Sequence, residues 1–242
     1  LLPQKQYKLC GILNGIDVVV NDPATDPALA ANYDVNTVQD GKPICKKAML
    51  EQFGMDQDGS PVMGMVTRLV GHKGLDLVRS VAEGLLQQGI QLVILGSGEH
   101  GYEAFFNDLA YRHPGRVGVY IGFNATLAQQ IYAGSDIFLM PSKSEPCGLS
   151  QMVACRYGAV PVVRETGGLK DSIKDSGDGQ GNGFTFANYS AHDLYQACWR
   201  AKEGYWQEGW MTLVKRAMSC DFSWDVSAKS YAQMYEQVVN LW

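Results

Sequence analysis

From residue 61 onward, apolar runs of about five residues alternate with stretches of helical periodicity, and this alternation narrows the fold more than any other feature. PVMGMVT (61 to 67), QLVIL (91 to 95), VGVYI (117 to 121), DIFLM (136 to 140) and AVPVV (159 to 163) read as strands. Between the first two, KGLDLVRSVAEGLLQQ sets Leu75, Val78, Ala82 and Leu85 on one helical face. YEAFFNDLAYRH, LAQQIYAGS, residues 147 to 157 and LKDSIKD read as further helices. Short strands joined through helices predict an α/β fold: a doubly wound, Rossmann-like parallel sheet covered on both faces.

SGDGQGNG (176 to 183) reads as a loop and FTF (184 to 186) as a last strand, after which the chain turns helical. Ser223 is the expected N-cap of a closing helix with Asp225 in its first turn. Trp224, Ala228, Tyr231, Tyr235 and Val238 follow at helical spacing. Residues 1 to 60 form a less regular lead-in, with a polar DPATDP stretch and a helix expected from Ile44 to Phe53. The chain thus reads as one domain over 1–242, with 220–242 as its C-terminal helix.

A chain of 242 residues that is 46% hydrophobic can bury a sizeable core. No apolar run approaches the roughly 20 residues of a membrane span, so no membrane partner is expected. A net charge of −5 without a basic stripe argues against nucleic acid. Small anions remain eligible, because local cations bind them whatever the total charge. The six cysteines are irregularly spaced without a C-x-x-C pair, which favours reduced thiols and a cytoplasmic setting. Histidines 72, 100, 113 and 192 lack metal-binding spacing, so no metal or other cofactor is expected.

Open α/β sheets bind ligands at the carboxyl ends of their strands, which makes each post-strand turn a candidate. GSGEHG (96 to 101) matches G-x-G-x-x-G, but no carboxylate follows at the distance a dinucleotide site wants. Its glycines are better read as allowing a tight turn against a ligand or a neighbouring loop. TRLVGHKG (67 to 74) is not a Walker loop, since His72 precedes Lys73 and Gly74 follows. It leaves Arg68 and Lys73 at a helix N-terminus, either an anion site or a solvated turn. SEPCGLS (144 to 150) offers the amides of Gly148, Leu149 and Ser150 to a phosphate. Glu145 then either faces a hydroxyl-bearing group beside that phosphate or merely complements the helix dipole. Cys147 reads as a small buried thiol. DQD (56 to 58) reads as a polar turn, and Trp199, Trp206 and Trp210 as one packed helical face.

Taken in order, GILNGID (11 to 17), VTRLVGHKGLDL (66 to 77), IGFN (121 to 124), PSKSEPCGLSQM (141 to 152), VPVVRETGGLKDS (160 to 172) and DFSWDVSAKSY (221 to 231) resemble the donor half of bacterial glycogen synthases and plant starch synthases. The resemblance implies one half of a two-domain B-type glycosyltransferase, which moves glucose from ADP-glucose to the 4-hydroxyl of an α-1,4-glucan with retention. By that likeness Arg68 and Lys73 bind the diphosphate, and Gly148, Leu149 and Ser150, with Cys147 beside them, complete its cradle. Gly122 and Phe123 line the adenine site, while Asn14 and Glu145 meet the glucosyl group, Glu145 as the essential carboxylate. Related retaining transferases carry E-x7-E, but the second position here is Val153. Nothing resembles the family's K-x-G-G-L loop or acceptor domain, so the expectation is a donor half with little transferase activity alone. The expected partners are ADP or ADP-glucose, a glucan reached through the missing domain, and possible self-association through the last helix; a plant source would imply a plastid. The alternatives are another retaining nucleotide-sugar transferase, using UDP-glucose or making sucrose, trehalose or a glycolipid, or a non-catalytic nucleotide- or carbohydrate-binding module.

Overall fold

The computed structural model describes residues 3–239. Six strands form one parallel sheet: β1 (Val62–Val66), β2 (Gln91–Gly96), β3 (Val117–Ile121), β4 (Ile137–Met140), β5 (Val160–Arg164) and β6 (Phe184–Phe186), in the order β3-β2-β1-β4-β5-β6. The chain winds outward from β1 to β3, then crosses back to lay β4 against the other side of β1. That reversal opens a crevice between the carboxyl ends of β1 and β4, where doubly wound sheets take their ligands.

The helices are α1 (Val38–Gln52), α2 (Leu75–Gln87), α3 (His100–Arg112), α4 (Ala125–Gly134), α5 (Ser150–Arg156), α6 (Gly167–Ser172), α7 (Ala191–Tyr205), α8 (Trp210–Met218) and α9 (Trp224–Val239). Side chains alternate across a strand, so the central strands β1 and β2 feed two cores. Met63, Met65, Leu92 and Ile94 pack with Leu75, Val78, Ala82 and Leu85 of α2. Their neighbours Val62, Val93 and Leu95 pack with Met49 and Leu50 of α1 and Leu127 and Ile131 of α4. Both faces are therefore covered, which is why these strands are apolar throughout.

Three expectations shift. The first helix begins at Val38, not Ile44, although Pro43 lies inside it. Burial carries it through that weak point: the Lys42 ammonium donates to Ala133 O at 2.9 Å and Tyr157 O at 3.0 Å, fastening α1 to the ends of α4 and α5. Burial also pushes the Lys42 pKa down to about 7. Second, α5 starts at Ser150 rather than 147, because Gly148 at φ 71° turns the chain before the helix begins. Third, of the three tryptophans only Trp210 is packed, at 9% exposure; Trp199 and Trp206 stand 43% and 60% exposed. Ser223 forms a bridge with Ile16 that ties the lead-in to α9, and Asp225 occupies the first turn as expected.

Gly74 sets how closely the two halves of the sheet meet at the crevice. It sits at φ 78°, and a side chain there would lie 2.1 Å from Pro141 O, just past β4. Gly74→Ala should cost about 3 kcal/mol in urea unfolding, from the left-handed backbone plus the clash. Gly54→Ala, with a similar φ of 64° but open space around it, should cost only about 1 kcal/mol.

Candidate functional site

The β1–α2 turn and the β4–α5 turn meet across the crevice. Lys73 Nζ lies 2.6 Å from Glu145 Oε2, and both side chains are largely buried, at 16% and 10% exposure. Ser142 Oγ donates to the same oxygen at 3.1 Å. The other oxygen, Oε1, accepts no hydrogen bond among the described residues, yet is not sealed from solvent. One face of the carboxylate thus fixes the ammonium while the other remains available. Glu145 is not a first-turn acid of α5, since the turn at Gly148 separates it from the helix.

Arg68 is exposed on the same turn as Lys73, with no side-chain partner among the described residues. The turn is partly self-neutralised: Gly71 N–H donates to Glu99 Oε1 at 3.0 Å. Glu99 comes from the GSGEHG segment, in which Gly96 and Gly98 serve close packing while Gly101 faces open space. A side chain at Gly98 would meet Leu69 O at 2.4 Å.

The Glu145–Ser150 segment is shaped from beneath by Gln151, which is fully buried. Its Nε2 donates to Cys147 O at 3.2 Å, Gly148 O at 3.0 Å and Ser172 Oγ at 3.0 Å. In a planar trans peptide the carbonyl and N–H point opposite ways. Drawing both carbonyls toward Gln151 therefore turns the N–H groups of Gly148 and Leu149 away from it. Neither has an acceptor among the described residues. Cys147 is half-buried rather than buried, and its carbonyl is used by Gln151.

Gly122 and Phe123 follow β3, and Phe123 is 90% exposed at the carboxyl end of the sheet. Asn14 is exposed on the lead-in, which is pinned to α9 by Ser227 Oγ donating to Leu13 O at 2.7 Å. No hydrogen bond joins Asn14 or Phe123 to the Lys73–Glu145 pair. Among the described residues no group of three His, Cys, Asp or Glu side chains is placed to hold a metal, and no helix is long and apolar enough to cross a membrane. All six cysteines are unpaired thiols. A separate cavity of about 370 Å³, lined by Lys46, Asp136, Tyr205, Trp206 and Trp210 among others, opens at the amino ends of the strands, away from the crevice.

Residues 50–204 match the family described as glycosyl transferases group 1. The chain belongs to that family. Within it, the sequence is 47% identical over 243 residues to the glycogen synthase of Bacillus anthracis, covering 99% of this chain and 51% of that protein. Glycogen synthase of Geobacillus thermodenitrificans is 49% identical, with 99% and 50% covered. The catalytic domain of starch synthase IV from Arabidopsis thaliana, solved with ADP and acarbose, superposes with a TM-score of 0.91 at 39% identity, over 99% of this chain and 51% of that one. The chain spans about half the length of the relatives it matches. The doubly wound parallel-sheet architecture expected from the sequence is the one found, and it matches half of that starch synthase structure.

Gln151 was not singled out by sequence; a glutamine on the buried side of a short helix was its only signal. Gln151→Leu keeps the shape but strands three acceptors. It should cost about 2 kcal/mol in urea unfolding with the secondary structure intact.

Proposed function

We propose that this chain is the nucleotide-sugar half of a retaining glucosyltransferase that moves glucose from ADP-glucose to the 4-hydroxyl of an α-1,4-glucan. The observation that carries the reading is the Lys73–Glu145 pair at the switch point, a cation and a carboxylate sharing one crevice at the carboxyl ends of β1 and β4. Arg68 and Lys73 neutralise the diphosphate and stabilise the charge that grows on ADP as the glycosidic bond breaks. The outward N–H groups of Gly148 and Leu149, with Ser150 and the adjoining Cys147, cradle the same group. Gly122 and Phe123 receive the adenine, the exposed ring by stacking. Glu145 presents its free oxygen to the glucosyl unit, with Asn14 as a second contact. Charge neutralisation in this scheme falls to side chains, so it needs no metal.

The glucan acceptor meets this half through a second domain, and the isolated chain turns over little. A cytoplasmic location, or a plastid in a plant, fits the same reading. Self-association through α9 belongs to it too, since Trp224, Tyr235, Val238 and Val239 are exposed. A sedimentation coefficient held at the monomer value up to high concentration would contradict that part.

Calorimetry should show ADP binding that exceeds UDP binding and is indifferent to EDTA. Lys73→Met and Arg68→Ala should each weaken it about 10-fold or more, the loss of a charge-assisted contact. In a full-length relative, the equivalent of Glu145→Gln should lower turnover on the order of 10²-fold with ADP affinity little changed. A preference for UDP, or normal turnover without that carboxylate, contradicts the proposal.

A further inference from the structure

Lys73 and Glu145 hang from turns in different halves of the sheet, so their contact depends on what fixes the gap between those turns. One backbone tie crosses it: Lys143 N–H donates to His72 O at 2.9 Å. The same peptide is held at its opposite edge, where Ser142 O accepts from Arg164 Nη1 at 3.4 Å. The next carbonyl, Lys143 O, accepts from the same nitrogen at 2.7 Å. Because carbonyl and N–H of a trans peptide point opposite ways, the Ser142–Lys143 peptide acts as a strut from the end of β5 to the β1–α2 turn.

Arg164 is itself held. Its Nε is buried without a partner among the described residues, so its grip comes from Nη1 and from the ring of Tyr189, whose centroid is 5.4 Å from Cζ. The Lys143 ammonium approaches the same ring at 5.5 Å. The Tyr189 hydroxyl in turn donates to Asp76 Oδ1, in the first turn of α2. Burial and that carboxylate hold the Tyr189 phenol well above its ordinary pKa, so it stays a donor. The contacts close a ring: the β1–α2 segment, Tyr189, Arg164, the Ser142–Lys143 peptide, and back to His72. Lys73 and Glu145 are attached to two of its sides.

We propose that Arg164 and Tyr189 are positioning residues that set the Lys73–Glu145 separation and, through it, the aim of Lys73 at the diphosphate. Only the consequence for ligand rests on the function proposed above; the ring does not. Tyr189→Phe removes one hydroxyl and keeps the aromatic face under the guanidinium. Arg164→Lys keeps the charge but not the planar group that stacks and spans two carbonyls.

The test is a double-mutant cycle in urea unfolding. Coupling between K73M and E145Q should be about 10-fold in the equilibrium constant of the parent chain and should drop below about 3-fold once Y189F is added. R164K gives the same readout should Y189F fold poorly. A coupling absent in the parent, or unchanged by Y189F and R164K, overturns the proposal. In a second arm, Y189F should weaken ADP binding about 5-fold in the parent and not at all in K73M. Equal losses in both would show that Tyr189 acts independently of Lys73, which also overturns it. A parent chain that binds no ADP refutes the proposed function instead, and the unfolding cycle still judges the ring.

Discussion

The candidate site depends on one ion pair placed where the sheet reverses direction. Lys73 leaves β1 toward one half of the fold and Glu145 leaves β4 toward the other, yet their side chains meet at 2.6 Å. Isolated in a dry interior such charges would be costly; here each partner satisfies the other while the crevice keeps them within reach of ligand. Under the proposed function, a polyanion entering the crevice draws on the ammonium and the carboxylate is left to answer hydroxyls. The paired state therefore holds Lys73 in one position, whereas Arg68 is exposed without a side-chain partner among the described residues.

Close backbone approach makes this arrangement possible. Gly74 lets the start of α2 touch the chain after β4, and Gly168 lets Cys147 O approach to where a side chain would be only 2.1 Å from it. Gly168 N–H also donates to Glu145 O at 3.1 Å, so the turn after β5 supports the carboxylate's own backbone. Three strand ends thus share a single layer of contacts. Function in such a layer is sensitive to residues that never touch ligand, because moving one turn moves its neighbours.

What the sequence made legible follows from which forces act locally. The strands at 91–95, 117–121 and 184–186 could be read almost to the residue: β2 is buried on both faces and so writes an apolar run, while β3 and β6, at the sheet's edges, stand out as short runs rich in β-branched and aromatic residues. The start of α1 could not: Gly41 and Pro43 are weak helix formers, and the segment is held by the burial of Val38 and Gly41 and by the distant acceptors of Lys42. The tryptophan spacing suggested one packed face, but α7 ends at Tyr205, so Trp206 and Trp210 do not lie on one helix. At the site, Lys73 and Glu145 were each recognisable as residue types beside a helix start, and the family likeness gave them roles. Their contact was not recognisable, because it arises from the crossover that brings β4 beside β1. The contacts of Arg164 and Tyr189 were illegible for the same reason, their partners lying 21 to 113 residues away, whereas Gln151 reaches back to Cys147 and Gly148 on its own turn and only its bond to Ser172 is set by topology.

The most direct measurement is a crystal structure of this chain with ADP. The account predicts the diphosphate within hydrogen-bonding distance of Lys73 Nζ and of the Gly148 and Leu149 amides, with Arg68 folded in from solvent. ADP bound elsewhere, as in the cavity beside Trp206 at the opposite end of the strands, would contradict it.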